Sequence, residues 1–180
     1  MNVKKIMLVG MSVVLCLVVV GLVHAEKSKA ELITDAESAA PAAVTKNATI
    51  KSSDGKVLRE GSNGWTCYPG SSAIGPMCNR PQWDKVLQAM MNKKPLDVEE
   101  FSISYMLAGE GEALGVSNKD PYASKPTSDN DWVKEGPHLM IVVPDSAALE
   151  GLSTDPKDPV YVMWKGTPYA HIMVKIAPEH

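Results

Sequence analysis

The segment His138–Val143, HLMIVV, limits the fold most because it is apolar on both faces that a β-strand presents. Successive side chains of a strand point to opposite sides of the sheet, so a strand of this kind needs a covering layer on each side. Pro144 ends the segment. The sequence therefore predicts a sheet in which His138–Val143 is a central strand.

The other patterns predict an α+β fold in which one main helix packs on a small, mainly antiparallel sheet. Apolar residues recur at helical spacing between Trp83 and Met91, and the alternation along Glu100–Leu107 is typical of a half-buried strand. Asp54-Gly55 lies between two strand-like runs, as in a tight hairpin. The runs VYVMW and AHIMVKI, joined by KGTP, predict a second hairpin near the end of the chain.

Residues 1–25 have the layout of a signal peptide. Lys4 and Lys5 precede the apolar run Ile6–Val23, and Val23-His24-Ala25 has small residues at the positions that signal peptidase reads. The alternative is an uncleaved membrane anchor, because the apolar run approaches the length that spans a bilayer. We expect cleavage after Ala25 and a periplasmic or secreted location.

Composition divides the rest of the chain into two parts. Residues 26–46 are rich in Ala and in charge and contain no aromatic residue, which predicts a flexible tether. Residues 47–180 are predicted to form a single α+β domain. The formal net charge of −3, without a basic cluster, argues against nucleic-acid binding. We expect a small molecule or a protein as partner, and no membrane contact after signal cleavage.

Cys67 and Cys78 are the only cysteines outside the predicted signal peptide. An even pair of cysteines in an exported protein usually forms a disulfide. The sequence between them, YPGSSAIGPM, is rich in Gly, Pro and Ser and can turn back on itself. The two residues are therefore predicted to close this loop as a disulfide.

The last predicted strand has two different faces. One face is apolar throughout and is predicted to be core: Ala170, Ile172, Val174 and Ile176. The other face ends in a charge and is predicted to reach solvent or to line a cleft: Tyr169, His171, Met173 and Lys175. The long loop Ala108–Pro137 is the other candidate for a functional element, because loops of this length in small domains often carry function.

The two strands with the order His, apolar residue, Met suggest a metal site. His138 and Met140 share one face of their strand, and His171 and Met173 share one face of theirs. If the strands are neighbours, two imidazoles and two thioethers could converge, and this ligand set suits copper, especially Cu(I). The alternative is structural: methionines that fill the core and histidines that hydrogen-bond to the backbone.

The leading hypothesis is a non-enzymatic binding or interaction domain of unknown ligand, with Ala108–Pro137 and the His171 face forming its site. One alternative is a copper-binding protein that uses the two His-x-Met strands. Another is a small hydrolase-like enzyme in which His138 or His171 is the base. The acidic partner would then come from the loop: Asp120, Asp129 or Asp131. No catalytic residue is assigned, and whether the protein is an enzyme stays open at this point.

Four parts of the sequence resemble a family of small exported bacterial proteins of unassigned function. They are GWTCYPG with PMC, SNKDPYASKP, GPHLMIVVPD and VMWKGTPYAHIM, and the resemblance covers most of Ala48–Ile176. It implies export by a bacterial cell. It implies no activity, cofactor or catalytic residue.

Overall fold

The computed structural model describes residues 27–176, so the predicted signal peptide lies outside the described residues. These residues form three α-helices, one 3-10 helix and ten strands. The elements are α1 (Lys29–Glu37), α2 (Ala42–Thr45), β1 (Thr49–Lys51), β2 (Val57–Arg59), β3 (Thr66–Tyr68), β4 (Met77–Asn79), α3 (Pro81–Met91), β5 (Ser102–Met106), β6 (Val116–Ser117), β7 (Trp132–Val133), β8 (His138–Val142), the 3-10 helix (Ser146–Leu149), β9 (Val160–Met163) and β10 (His171–Lys175).

Eight of the strands form one sheet in the order β2-β1-β3-β4-β5-β8-β10-β9. All neighbouring pairs are antiparallel except β1 and β3, which are parallel. The predicted α+β class with a mainly antiparallel sheet is confirmed. The sheet is larger than the predicted small one, because the cysteine loop contributes β3 and β4. The segment His138–Val143 contains β8, which pairs with β5 and β10 as an interior strand.

The predicted disulfide is confirmed. Cys67 of β3 lies directly opposite Cys78 of β4, and their sulfur atoms are 2.02 Å apart. Both cysteines are fully buried. The bond therefore joins two adjacent strands at the point where the chain turns back.

The segment 26–46 was predicted to be a flexible tether. Its described part, residues 27–46, is folded and contains α1 and α2. Helix α1 begins at a capping box, in which Ser28 and Glu31 satisfy each other's backbone N–H groups. Ala36 and Ala39 are fully buried, and α1 contacts β2 and β3. The Ala-rich composition reflects close packing, because small side chains let a helix lie near a sheet. Composition alone does not distinguish this from a tether.

Helices cover both faces of the sheet at β4 and β5. On β4, Cys78 packs in the cluster of small residues under α1 and α2, and its neighbour Met77 packs in the larger cluster under α3. On β5, Tyr105 and Met106 divide between the same two clusters. Adjacent residues point to opposite faces, so α1 and α2 lie on one side of the sheet and α3 on the other.

The structure reverses the predicted core face of the last strand. On β10, His171 and Met173 are buried, and Ile172 and Val174 are only partly buried. Ile176, also predicted to be core, is 51% exposed. The face with the histidine lies under α3. The aliphatic face lies on the opposite side of the sheet and is only partly covered. The predicted core face is therefore wrong.

Helix α3 forms the lid over the buried face of the sheet. Trp83, Val86, Leu87 and Met90 pack in the core, as their spacing predicts, while Met91 is 68% exposed. The Trp83 indole N–H donates a hydrogen bond of 3.0 Å to the carbonyl of Met140 on β8. No helix within residues 27–176 has the length and apolar character needed to cross a bilayer.

Replacing both cysteines with alanine should lower the free energy of unfolding by about 3 kcal/mol, since the disulfide closes a loop between residues 11 positions apart. Urea unfolding of C67A/C78A and of wild type, each with and without a reducing agent, measures the difference. Reduction should destabilise the wild type by a similar amount and leave the variant unchanged. Equal stability of the oxidised wild type and the variant would contradict the prediction.

Candidate functional site

A cavity of about 180 Å³ lies between α3, the buried face of the sheet and the loop 108–137. Its walls are mostly apolar and come from α3, from five strands of the main sheet and from that loop. Gly75 helps to close it, because a Cβ at this position would lie 2.1 Å from the carbonyl oxygen of Gly109. The Gly75 N–H donates to the Glu110 carboxylate at 2.7 Å, which fixes the two loops together.

Thioethers and imidazoles are concentrated at this cavity. Residues 27–176 contain seven methionines, and six of them line the cavity: Met77, Met90, Met106, Met140, Met163 and Met173. The seventh, Met91, is on the outer side of α3. The same residues contain two histidines, and both line the cavity. Apolar packing alone does not require this composition, because leucine or isoleucine would fill the space equally well.

Strand register places the four predicted metal ligands on one face of the sheet. Met140 of β8 lies directly opposite Met173 of β10. His138 lies opposite Lys175, so the backbone positions of the two histidines are four residues apart along the strands, or roughly 13 Å at the usual rise per residue. All four residues line one cavity, with the methionine pair between the two histidines.

His171 has a different set of neighbours, which the sequence analysis missed. Met163 of β9 lies directly opposite His171 and lines the cavity beside it. The indole rings of Trp83 and Trp164 each lie edge-to-face with the imidazole, with ring centroids 5.0 Å apart in both cases. The signal in the sequence was the hairpin of VYVMW and AHIMVKI, whose register would have paired His171 with Met163.

The imidazole of His171 presents a lone pair to this interior. Its Nδ1 is 2.9 Å from the carbonyl oxygen of Tyr169, and a carbonyl oxygen only accepts, so Nδ1 carries the proton. In the neutral ring Nε2 is then unprotonated, and it is fully buried without a hydrogen-bond partner. Burial lowers the pKa of His171 to about 4, so the ring is neutral at physiological pH. Nε2 is available to a ligand.

His138 belongs to the polar end of the cavity. Its Nδ1 is 2.7 Å from the carbonyl oxygen of Gly136, and burial lowers its pKa. Glu135 lies nearby and accepts a hydrogen bond of 2.9 Å from the Tyr161 hydroxyl, while Lys175 is 3.5 Å from the other carboxylate oxygen. Burial raises the pKa of Glu110 at the same end. These charges are satisfied by protein groups.

The loop 108–137 contributes to the cavity wall, but its three candidate acids do not reach a histidine. Asp120 accepts a hydrogen bond from the backbone N–H of Tyr122, Asp129 accepts one from the Thr127 hydroxyl, and Asp131 pairs with a lysine of the same loop. Within residues 27–176, each imidazole forms a hydrogen bond only with a backbone carbonyl. The geometry that the hydrolase alternative requires is not formed here.

Harder metal ligands do not gather in the described part of the chain. Residues 27–176 contain no group of three or more His, Cys, Asp and Glu side chains placed to hold a metal ion. A metal site in this cavity would therefore need thioether sulfur beside imidazole nitrogen. This is a ligand set for a soft ion.

Comparisons with protein-family models, with curated proteins and with solved structures find no match for this chain. The resemblance to small exported bacterial proteins therefore stays a prediction, and the interpretation of the site rests on its geometry.

Lowering the pH from 7 to 5 should destabilise the protein partly through His171. The unfolded chain binds a proton with a pKa near 6.5 and the folded protein only near 4, so this group lowers the free energy of unfolding by about 2 kcal/mol over the interval. Urea unfolding at both pH values measures the loss, which should be smaller by that amount in His171→Gln. The other buried groups, His138, Glu110 and Glu135, are the same in both proteins. Identical pH dependence of wild type and variant would contradict this prediction.

Proposed function

We propose that the protein is an exported, non-enzymatic binding domain that holds a small ligand in the cavity under α3. The observation that carries the proposal is the unpartnered Nε2 of His171, fully buried in a wall of thioethers and indoles. A buried polar atom without a partner costs free energy, and of the six such side-chain atoms in residues 27–176 this is the one whose residue lines the cavity. A ligand that donates to or coordinates Nε2 would remove this cost.

The size of the cavity limits the ligand to a metal ion or a molecule of few atoms. Its volume of about 180 Å³ is below the range of roughly 300–1,000 Å³ for sites of drug-sized molecules. It is close to that of an engineered apolar cavity of about 150 Å³ that binds benzene. The ligand is therefore smaller than a nucleotide or a peptide.

Binding without catalysis fits the arrangement of the histidines. A general base needs a partner that orients it and access to the proton that it removes. His171 is oriented only by the carbonyl of Tyr169, and burial keeps its pKa near 4, where it is a weak base at neutral pH. The side chain is suited to hold a ligand through its lone pair.

Export is supported by the disulfide and by the layout of residues 1–25. A structural disulfide persists in the oxidising compartments outside the cytoplasm. Residues 1–25 carry two lysines followed by an apolar run and the small residues at Val23 and Ala25. Both features support secretion into the periplasm or the medium.

Ligand binding should raise the melting temperature in a way that depends on free cavity volume. Benzene at increasing concentration and Cu(I) at buffered free concentration are the two probes, and a ligand at 100 times its Kd stabilises by about 2.7 kcal/mol. Val116→Phe fills part of the cavity, and should reduce the shift that benzene produces. Val98→Phe makes the same change at a position that packs on the core without lining the cavity, and should keep the full shift.

Two outcomes would overturn the proposed function. One is a melting temperature that neither benzene nor Cu(I) raises in wild type. The other is a benzene shift of equal size in V116F and V98F together with a Cu(I) shift that persists in His171→Leu, because the probes would then bind outside the cavity.

The exported protein should begin at Glu26. Expression of the full chain in a bacterium with a periplasm, followed by osmotic release and intact mass measurement, locates the protein and its first residue. We expect the mass of residues 26–180 with one disulfide in the periplasmic fraction. Ala25→Arg should block processing at this site because signal peptidase requires a small residue there. An unprocessed wild-type chain in the membrane fraction would support the anchor alternative.

A further inference from the structure

We propose that the ligand is monovalent copper, bound by Nε2 of His171 and by the thioether sulfurs of Met163 and Met173. This inference rests on the proposed function and names its ligand. The proposed site is the part of the cavity around His171, and His138 is not one of the metal ligands. The metal set predicted from sequence, His138, Met140, His171 and Met173, is thereby replaced by three residues, two of which it contained.

The three ligands lie next to one another on the buried face of two neighbouring strands. His171 and Met163 form a direct antiparallel pair, and side chains in such pairs have Cβ atoms about 4.5–5.5 Å apart. Met173 is two residues from His171 on the same strand and therefore points to the same face. Met163 and Met173 are each only 2% exposed, so bulk water would not compete with their sulfur atoms as a ligand of the metal.

The tautomer of His171 is the one that a metal requires. Metal-binding imidazoles commonly donate their second N–H to a carbonyl or carboxylate, and this bond orients the ring and makes the other nitrogen a better donor. His171 already makes this bond with the carbonyl of Tyr169. Because this bond places the proton on Nδ1, Nε2 of the neutral ring carries no proton that a metal ion would have to displace.

The chemistry of the pocket favours Cu(I) over the other common metals. Thioether sulfur is a soft ligand that selects Cu(I), whereas Ca²⁺ and Mg²⁺ require several oxygen ligands. Zn²⁺ in proteins is held by four ligands from Cys, His, Asp and Glu, and residues 27–176 offer no such group. A single positive charge is also the least costly metal charge to bury in an apolar cavity.

The two indoles beside His171 would stabilise that charge. The rings of Trp83 and Trp164 both lie 5.0 Å from the imidazole between centroids, and the face of an indole attracts cations. Their N–H groups are directed to backbone carbonyls of Met140 and Ser117, so both rings are held in place. A metal at Nε2 would thus lie close to two fixed aromatic rings, and this proximity provides a fluorescence signal.

The test is an anaerobic Cu(I) titration of the exported chain, purified without a polyhistidine tag, against a chromogenic Cu(I) chelator. We expect one Cu(I) per protein, quenched tryptophan fluorescence, and an X-ray absorption spectrum that fits one nitrogen and two sulfur ligands. His171→Leu should weaken Cu(I) binding by about a hundredfold, and M163L or M173L by about tenfold. Leucine has nearly the volume of methionine, so these two variants remove sulfur and keep the packing.

Matched control variants separate the loss of a ligand from a general effect on the cavity. His138→Leu removes the other buried imidazole, and Met90→Leu removes a cavity thioether that lies on α3. Both should retain Cu(I) affinity within about threefold, as expected for groups outside the coordination shell. Urea unfolding of every variant identifies any that has lost its fold. If H171L has done so, the conservative replacement His171→Gln takes its place.

The outcomes distinguish this inference from the proposed function. Unchanged Cu(I) affinity in H171L, or an absorption spectrum without sulfur ligands, would overturn the copper site. If wild type binds no Cu(I) but benzene raises its melting temperature and V116F weakens that effect, the copper assignment fails and the binding function stands. If neither probe binds in the cavity, both fail.

Discussion

The pairing of β8 with β10 determines what the interior of this protein contains. Met140 lies opposite Met173, and this register directs the histidines and methionines of both strands to the side of α3. A slip of β10 by one residue would reverse the faces of this strand and bury Ile172 and Val174 instead. Hydrophobicity alone would favour that alternative, so the observed register must be held by specific contacts.

Three side-chain hydrogen bonds support this register. The Trp83 indole donates to the carbonyl of Met140, which anchors α3 to β8. The imidazoles of His138 and His171 each bind a carbonyl two residues back in their own chain, and this satisfies one polar atom of each ring. These bonds reduce the cost of burying imidazoles and leave one nitrogen of His171 unsatisfied. The disulfide adds about 3 kcal/mol of stability on the other half of the sheet.

Periodicity predicted which residues share a face, but not which face the helices cover. The spacing in 83–91 identified α3, and the alternation in Glu100–Leu107 and Tyr169–Ile176 identified β5 and β10. On β5 the buried side carries Ser102, Ser104 and Met106, while Phe101 on the other side is 58% exposed. The covered face depends on where α3 and the loop 108–137 pack, which is a long-range property. The cysteine pair was predictable because spacing and predicted export suffice. The position of Met163 beside His171 was missed, because it follows only from the register of the last hairpin.

Because most methionines of residues 27–176 are buried, oxidation of their sulfur atoms would report transient opening of the interior. Oxidants convert methionine to its sulfoxide at a rate that follows exposure of the sulfur. Met91 is 68% exposed and would be converted first, whereas Met106, Met163 and Met173 are 2% exposed or less. Those three sulfurs meet peroxide only when the sheet and α3 separate. The sulfoxide content of these three residues, relative to that of Met91, would measure how much the interior has been exposed to solvent. Each sulfoxide oxygen added to the core would also destabilise its packing and make the next opening easier.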